Sequence, residues 1–487
     1  MKKVMYTLTL FILALIVLVG CGMPGMSGGS QESTSGSSGE GNSTEQEGQA
    51  SGEVYDNGLP KDVEVTLKYG FFEGGNGRKW MGDVIASFEQ EYPNVTIDML
   101  SSPDMSQVLS TRISAGDDEE MFDLFNRAPS GGVVGLAEAG KLEPLDDVWE
   151  KKIPDADGTV KELMMNGIYE SSDRIEGVSY TMPTLASVGG LFFNKNLFEE
   201  QGWNQNPQTW DEFTALLEQI QADGITPITF PGMYPYYHDW AFGDVETYEI
   251  ADKNGNVDEY LEDYQNYTGE VFTNPANIER WEKVYELGQK GYFHEGLPAL
   301  SHTQSQMQVL QGDVAMVSTG HHVENEMKNS APEGFKWGYM SVPFIDSPDQ
   351  KNWMRQGTTN GYYIWAAKPD LNKQWAKEFI LWMLTLDAQE KAAEFGGAMP
   401  IRNDFIDDEE RYEKLLSSSK SVLKYIDENN VQLRKAYRAV SITHPSYDQA
   451  YKLRDEAISN IFLGKKDPLP VLEQMEELIQ EAITAQK

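Results

Sequence analysis

Strand-like and helix-like patterns alternate between residues 63 and 127, and this alternation constrains the fold more than any other feature of the sequence. Apolar and polar residues alternate over 63–69 and again over 95–100, which predicts two strands. Apolar residues recur at helical spacing over 81–88 and 106–115, which predicts a helix after each strand. A third short strand follows over 122–125. This order is typical of an α/β fold, in which a mainly parallel sheet carries helices on both faces.

Two of the predicted strands end in residues suited to binding a ligand. Phe72 and Glu73 follow the first strand, and Asn126 and Arg127 follow the third. Ligands of open parallel sheets bind beyond the carboxyl ends of the strands. We therefore expect these four side chains to line a binding site.

A second folded unit begins near residue 180. Its patterns include a buried strand over 190–194 and a helix that begins with the capping box Thr209 and Glu212. A strand of small residues over 312–320 is flanked by glycines. Because a single core stops growing near about 250–300 residues, a chain of 487 residues should divide into at least two domains or lobes.

Aromatic residues concentrate in the stretch 234–240, which Pro235 and the preceding Pro231 and Gly232 mark as a loop. Aromatic faces stack on the C–H faces of sugars, and short polar side chains pair with the hydroxyl groups. The stretch therefore indicates a sugar site. Its candidate ligand residues are Tyr236, Tyr237, Asp239 and Trp240, with His321 from the turn after the small-residue strand.

Other chemistries have weaker support. The sequence contains neither a phosphate-binding loop nor a nucleophile elbow, and adjacent His321 and His322 would point to opposite sides of a strand. Oxygen side chains alternate as in a calcium loop at Asp252, Asn254, Asn256 and Asp258. The glycine stands at the fourth position instead of the sixth, and the twelfth position is Asp263. An acidic loop without metal is the favoured interpretation, so we predict no cofactor.

The net charge of −38 restricts the partners. A field of that sign repels nucleic acid and anionic membrane surfaces. We therefore predict no nucleic-acid partner.

The N-terminus indicates export and lipid attachment. Lys2 and Lys3 precede an apolar run over 5–19, and Gly20 precedes Cys21, the only cysteine. This arrangement resembles a bacterial lipobox, which implies a signal peptide over 1–20 and a lipid on Cys21 at the outer face of the cell membrane. An ordinary signal peptide or an anchor helix with an incidental cysteine is the alternative. Residues 21–60, rich in Gly, Ser, Gln and Glu, predict a disordered tether.

The chain resembles the extracellular solute-binding proteins of the carbohydrate ABC-transporter family that includes the maltose-binding protein. Besides the lipobox, the resemblance rests on the order and spacing of FDLFN (122–126), YTMP (180–183), LFFNK (191–195), TWDEF (209–213), GDVAM (312–316) and MPIR (399–402). It implies a two-lobed periplasmic-binding-protein fold of type II, with each lobe a mainly parallel sheet flanked by helices.

The resemblance also implies how the chain divides. The first lobe would comprise 61–180 plus 361–405, and the second 181–360 plus 406–487. Hinge segments would cross near 180–184, 357–361 and 403–408. Met182, Asn360 and Arg402, which lie in or beside these stretches, complete the predicted ligand site. Where the family usually has a tryptophan two residues after the glycine that ends the small-residue strand, this chain has His322, so Tyr237 or Trp240 would supply the ring.

The implied function is capture without catalysis. A monomer would close its lobes around a sugar, most simply an oligosaccharide, and deliver it to the permease subunits of an ABC importer. Two alternatives stay open. One is a lipid-anchored sugar sensor or adhesin with the same fold, and the other is a glycan-cleaving enzyme, which would need two facing carboxylates.

Overall fold

The structure is a computed structural model that describes residues 52–357 and 361–486. The predicted signal peptide, Cys21, most of the predicted tether and Asn360 lie outside the described residues. Within the described ranges, no helix has both the length and the apolar character needed to cross a membrane.

The described residues form the following secondary structure. The strands are β1 Val65–Phe72, β2 Val95–Ser102, β3 Leu124–Phe125, β4 Arg174–Ile175, β5 Val178–Ser179, β6 Met182–Pro183, β7 Ser187–Asn194, β8 Thr226–Thr229, β9 Val314–Gly320, β10 Trp337–Met340, β11 Asn352–Gly357, β12 Gly361–Ile364 and β13 Val431–Arg434. The helices are α1 Lys79–Glu91, α2 Met105–Ala115, α3 Val134–Glu138, α4 Asp146–Trp149, α5 Val160–Leu163, α6 Ile168–Ser171, α7 Lys195–Gln201, α8 Trp210–Ala222, α9 Asp239–Phe242, α10 Asp244–Lys253, α11 Val257–Asn266, α12 Pro275–Gln289, α13 His302–Gln311, α14 Val323–Met327, α15 Asp370–Met383, α16 Leu386–Gly396, α17 Asn403–Ile406, α18 Glu409–Glu413, α19 Ser417–Glu428, α20 Pro445–Phe462 and α21 Leu469–Gln486.

The first lobe is built on the sheet β2-β1-β3-β12-β6. β1 pairs parallel with β2 over its whole length and with β3 near its end, whereas β12 is antiparallel to both β3 and β6. Side chains of β1, α1 and α15 interlock beneath the sheet, where the Phe88 and Phe379 ring centroids lie 5.1 Å apart. The predicted β-α-β-α-β order is confirmed, and most residue pairs of this sheet are parallel.

The second lobe is built on the sheet β13-β11-β7-β9-β8, with β10 also paired to β7. β7 is antiparallel to β9, β10 and β11, and only the pairs β8–β9 and β11–β13 are parallel. The prediction of a mainly parallel sheet is therefore wrong for this lobe. β7 carries the chain away from β6 of the first sheet, and β11 carries it back toward β12. Two such strands must run in opposite directions.

The folded body begins earlier than predicted. Tyr55 packs edge-on against Tyr92 at 5.0 Å and Trp375 at 5.7 Å, and its hydroxyl donates to Asn94 Oδ1 at 2.8 Å. Leu59 is also buried. The predicted disorder is therefore wrong for residues 52–60, because two large apolar side chains anchor this otherwise polar segment on the first lobe.

The third crossing between the lobes lies after residues 403–408, where the sequence predicted it. Arg411 and Lys414 both pair with Glu390 of α16, which keeps α18 on the first lobe. The Ser417 hydroxyl then accepts from Trp337 N at 3.0 Å, and α19 packs against β10 in the second lobe. The chain thus changes lobes between Lys414 and Ser417.

Candidate functional site

The ends of β1 and β3 bring four predicted site residues together. Asn126 Oδ1 accepts from the Phe72 main-chain N–H at 2.7 Å, and the Arg127 guanidinium lies 4.3 Å from the centroid of the Phe72 ring. Glu73 accepts from the Ser101 hydroxyl at 2.8 Å. Phe72 is the last residue of its strand and not part of a loop, since the pairing with β2 continues to that point. Adjacent parallel strands end at the same edge, which explains why residues more than fifty positions apart meet here.

The aromatic stretch is helical, so its prediction as a loop is wrong. Pro235 begins a 3-10 turn over Pro235–His238 that continues into α9, and proline favours the first helical position because its φ is already suitable. The turn arranges the rings in a row. Ring centroids lie 4.9 Å apart for Tyr236 and Tyr237 and 6.2 Å apart for Tyr237 and Trp240. Tyr236 is 55% exposed, so one end of this aromatic row is open to solvent.

Trp240 lies across two glycines of the second sheet. A Cβ atom added at Gly189 of β7 would lie 2.6 Å from Trp240 Cε3, and one added at Gly320 of β9 would lie 2.8 Å from Trp240 Cζ3. Only glycine permits this close approach. On β11, the Arg355 guanidinium lies 5.4 Å from the Trp240 ring centroid, and its Nη1 donates to the main-chain oxygen of Asp239 at 2.8 Å.

Sequence reasoning missed Arg355, and of the two adjacent histidines it selected the one that the structure buries. His321 is fully buried, and neither ring nitrogen has a hydrogen-bond partner among the described residues. Burial, aided by the neighbouring His322, lowers the pKa of His321 to about 3. His322 instead packs edge-on against Trp240 at 5.6 Å. The expected divergence of adjacent side chains could have indicated this choice.

The two halves of the site face each other across the lobes. Burial raises the pKa of Tyr236, and the hydrogen bond with Tyr237 and then the positive charge of Arg127 from the first lobe offset part of this rise. Asn325 Nδ2 of α14 donates to the main-chain oxygen of Gly75 at 2.6 Å. The aromatic row of the second lobe and the strand ends of the first lobe therefore border one space.

Asp239 lies within this group but is already bound to the protein. Its Oδ1 atom lies 2.9 Å from His238 Nε2. Burial alone would raise the pKa of the Asp239 carboxyl, but the charges of His238, Arg454 and Arg355 hold it well below its usual range. Asp239 is thus ionised and orients the turn that carries Trp240.

Two predicted site residues lie apart from this group. Met182 is fully buried in β6, where it pairs with Tyr362 of β12. Arg402 is also fully buried, forms ion pairs with Asp155 at 2.6 Å and with Asp404, and donates to the Leu384 main-chain oxygen. These partners occupy its guanidinium. Asp155 lines a separate cavity of about 980 Å³ that none of the predicted ligand residues borders.

The candidate calcium loop is a connection between two helices. α10 extends to Lys253, so it includes Asp252, whose Oδ2 accepts from Trp353 Nε1 at 2.9 Å. Asn254 and Asn256 lie in the turn before α11, which contains Asp258. Over residues 52–357 and 361–486, no three or more His, Cys, Asp or Glu side chains are grouped so that they could hold a metal ion. The calcium interpretation has no support in this geometry.

The two α/β lobes, with an aromatic row facing polar strand ends, are typical of proteins that bind a solute. Residues 73–390, more than half of the chain, match the family model for bacterial extracellular solute-binding proteins. The chain belongs to this family.

Individual relatives agree with this assignment. The fold is similar to that of a chitin oligosaccharide binding protein, with a TM-score of 0.63 and 22% identity, covering 86% of this chain and 99% of that one. The multiple sugar-binding protein of Streptococcus mutans is 30% identical over 174 residues, which are 35% of this chain and 37% of that protein. The sn-glycerol-3-phosphate-binding periplasmic protein UgpB of Brucella abortus is 20% identical over 421 residues, or 84% of this chain and 91% of that one.

Proposed function

We propose that this protein is the extracytoplasmic binding component of an ABC importer, and that it captures an oligosaccharide between its lobes and delivers it to a permease without chemical change. The observation that carries the proposal is the aromatic row from Tyr236 to Trp240, which faces Phe72 and Arg127 of the other lobe. Flat rings with polar neighbours are the surface that a sugar requires. The printed names of two relatives, a chitin oligosaccharide binding protein and a multiple sugar-binding protein, support a sugar ligand.

The proposed mechanism is closure around the ligand by a monomer. A sugar stacked on the aromatic row contacts the second lobe alone when the lobes are apart, and contacts Phe72 and Arg127 as well when they come together. The ligand therefore favours the closed form by the free energy of these additional contacts. Proposed ligand-binding residues are Phe72, Glu73, Asn126, Arg127, Tyr236, Tyr237, Asp239, Trp240, His322 and Arg355.

The Trp240→Ala variant tests this site. Aromatic residues at the centre of an interface typically contribute about 2 kcal/mol or more, so the dissociation constant for the bound saccharide should rise about 30-fold or more. The measurement is isothermal titration calorimetry with the tightest ligand from a thermal-shift screen of oligosaccharides. Trp382→Ala is a matched control, because Trp382 is also half-buried but packs on Phe88 in the first lobe. Equal affinities for Trp240→Ala and the wild type would refute the assignment.

We propose further that Cys21 carries a lipid and that the polar residues after it tether the body beside its permease. The support is the sequence around Cys21, which resembles a lipobox. Growth with an alkyne-bearing fatty acid should label the wild type but not Cys21→Ala. Labelling of the variant would contradict lipid attachment at this residue.

A further inference from the structure

Two arginines at the proposed ligand site have no carboxylate partner, so their N–H groups can bind an anionic group of a ligand. The protein has 77 Asp and Glu residues against 39 Lys and Arg residues. Yet neither Arg127 nor Arg355 forms an ion pair with any carboxylate of residues 52–357 and 361–486. Both border the aromatic row, one from each lobe.

Arg127 is exposed and held with most of its donors free. Its Nε donates to Ser106 Oγ at 3.3 Å, and the flat face of its guanidinium rests on Phe72. Stacking uses the face of the guanidinium and leaves the in-plane N–H groups of Nη1 and Nη2 available. A planar donor pair of this kind matches the two oxygens of a carboxylate or of an ester of phosphate or sulfate.

Arg355 is similarly placed on the opposite side. Its guanidinium lies over Trp240, and Nη1 donates to a main-chain oxygen rather than to the Asp239 carboxylate. Nε is buried without a hydrogen-bond partner among the described residues. An unpaired buried donor is unfavourable, and a charged acceptor nearby would relieve this. Its Cδ lies near the same Gly189 that supports Trp240, so the guanidinium is positioned at the base of the aromatic row.

The acidic residues around this space each have a hydrogen-bond or ion-pair partner in the protein. These contacts are Glu73 with Ser101, Glu326 with Gln306, Asp173 with Lys435 and Asp239 with His238. Lys435 neutralises Asp173, whereas Glu73 and Glu326 accept only from neutral side chains. Arg127 and Arg355 are the cationic groups of the site without an ion-pair partner among the described residues.

We infer that the ligand of this site is an anionic saccharide, whose carboxylate, phosphate or sulfate group is bound by Arg127 and Arg355 as the lobes close. The inference rests on the proposed function and narrows its ligand class. The sugar ring stacks on Trp240 and Tyr237, and the acidic substituent extends from the ring edge toward the guanidinium groups. Charge-assisted hydrogen bonds from two lobes to one oxyanion also favour the closed form.

The test compares anionic saccharides with neutral ones by calorimetry. Trigalacturonate supplies the carboxylate, galactose 6-sulfate the sulfate, and glucose 6-phosphate the phosphate ester. Galactotriose, raffinose and chitotriose are the neutral probes. At least one anionic probe should bind 10-fold or more tightly than every neutral probe, and its affinity should fall as the salt concentration rises from 50 to 300 mM.

Substitutions of the two arginines test whether their charges bind the anionic group of the ligand. Arg127→Gln and Arg355→Gln should each weaken binding of the anionic probe at least 10-fold, while Arg355→Lys, which keeps the charge, should lose less. Arg112→Gln is the matched control, because Arg112 also stacks on a phenylalanine and donates to a main-chain oxygen without a carboxylate partner. It should bind like the wild type. Circular dichroism melting curves establish that each variant is folded.

The outcomes separate this inference from the proposed function. A neutral saccharide that binds as tightly as every anionic probe overturns the anionic ligand and leaves oligosaccharide capture standing. If Arg127→Gln and Arg355→Gln both bind the anionic probe as tightly as the wild type, the anionic ligand is likewise overturned and oligosaccharide capture stands. If no saccharide of either kind binds, the proposed function itself fails, and the inference fails with it.

Discussion

Glu246 is a carboxylic acid inside the second lobe, and its environment predicts a specific pH dependence of stability. It lies in α10, is 1% exposed, and its Oε2 has no hydrogen-bond partner among the described residues. Burial raises its pKa to about 7, and the charges of Arg355 and Arg280 offset only part of this effect. The folded protein therefore keeps this group protonated at mildly acidic pH.

The direction of the pH effect on stability follows from the pKa of Glu246 in the unfolded and the folded chain. When unfolded, Glu246 has its ordinary pKa near 4.5, so below that value both states are protonated. Between pH 4.5 and pH 7 the unfolded chain releases the proton that the folded protein retains, and above pH 7 the folded protein carries a buried negative charge. The free energy of unfolding therefore falls as the pH rises through this range. The difference between the two pKa values corresponds to about 3 kcal/mol.

The Glu246→Gln variant isolates this contribution. Urea unfolding of variant and wild type, followed by tryptophan fluorescence at pH 5 and pH 8, gives the difference in unfolding free energy at each pH. This difference should favour the variant by about 2.5 kcal/mol more at pH 8 than at pH 5, because part of the effect is already present at pH 5. Glu249, whose pKa burial also raises, is present in both proteins, so its contribution largely cancels.

The control is Glu282→Gln, which removes an exposed carboxylate from α12. Its difference from the wild type should be the same at both pH values. If Glu246→Gln shows no more pH dependence than this control, Glu246 is not held protonated by burial and the reasoning is refuted.

Two further perturbations test buried charge. His321, with a pKa lowered to about 3 from 6.5, stays neutral in the fold, so stability is lost as the pH falls below 6.5. Between pH 7 and pH 4, the unfolding free energy of His321→Phe should therefore decrease by about 3 kcal/mol less than that of the wild type. Urea unfolding measures this difference, and an equal decrease in the two proteins would contradict the prediction. Arg402→Met leaves Asp155 and Asp404 without their cation and should reduce the unfolding free energy by about 3 kcal/mol. Its saccharide affinity should be unchanged, and weakened binding in calorimetry would return Arg402 to the ligand site.

Much of the first lobe was predictable because its signals are local. The alternation over 63–69 and the helical spacing over 81–88 each depend on a few consecutive residues, and β1 and α1 formed there. The meeting of Phe72 with Arg127 followed from a general rule about strand ends in parallel sheets. The Thr209 cap is also local, and its side chain accepts from the Glu212 main-chain N–H as expected. The capping box is incomplete, because Glu212 Oε2 accepts from the Gln208 main-chain N–H instead of that of Thr209.

The second lobe was less predictable, because its geometry depends on pairings between distant segments. Proline and glycine before the aromatic stretch indicated a loop, yet the 3-10 turn and α9 formed, since Pro235 also suits the start of a helical turn. Asp155, one of the two carboxylate partners of Arg402, lies 247 positions away in the chain, so the motif around Arg402 did not show this ion pair.

The sequence by itself determined the α/β character of the chain and the chemical types of side chain available to a ligand. These properties follow from composition and from periods that span only a few residues. The tertiary structure alone decided that Arg355 lies over Trp240. The two residues meet because β11 pairs with β7, whose Gly189 supports the ring, and this pairing brings Arg355 to Asp239, 116 positions earlier in the chain. No local pattern encodes such a contact, since it exists only when the strands of the second sheet are assembled.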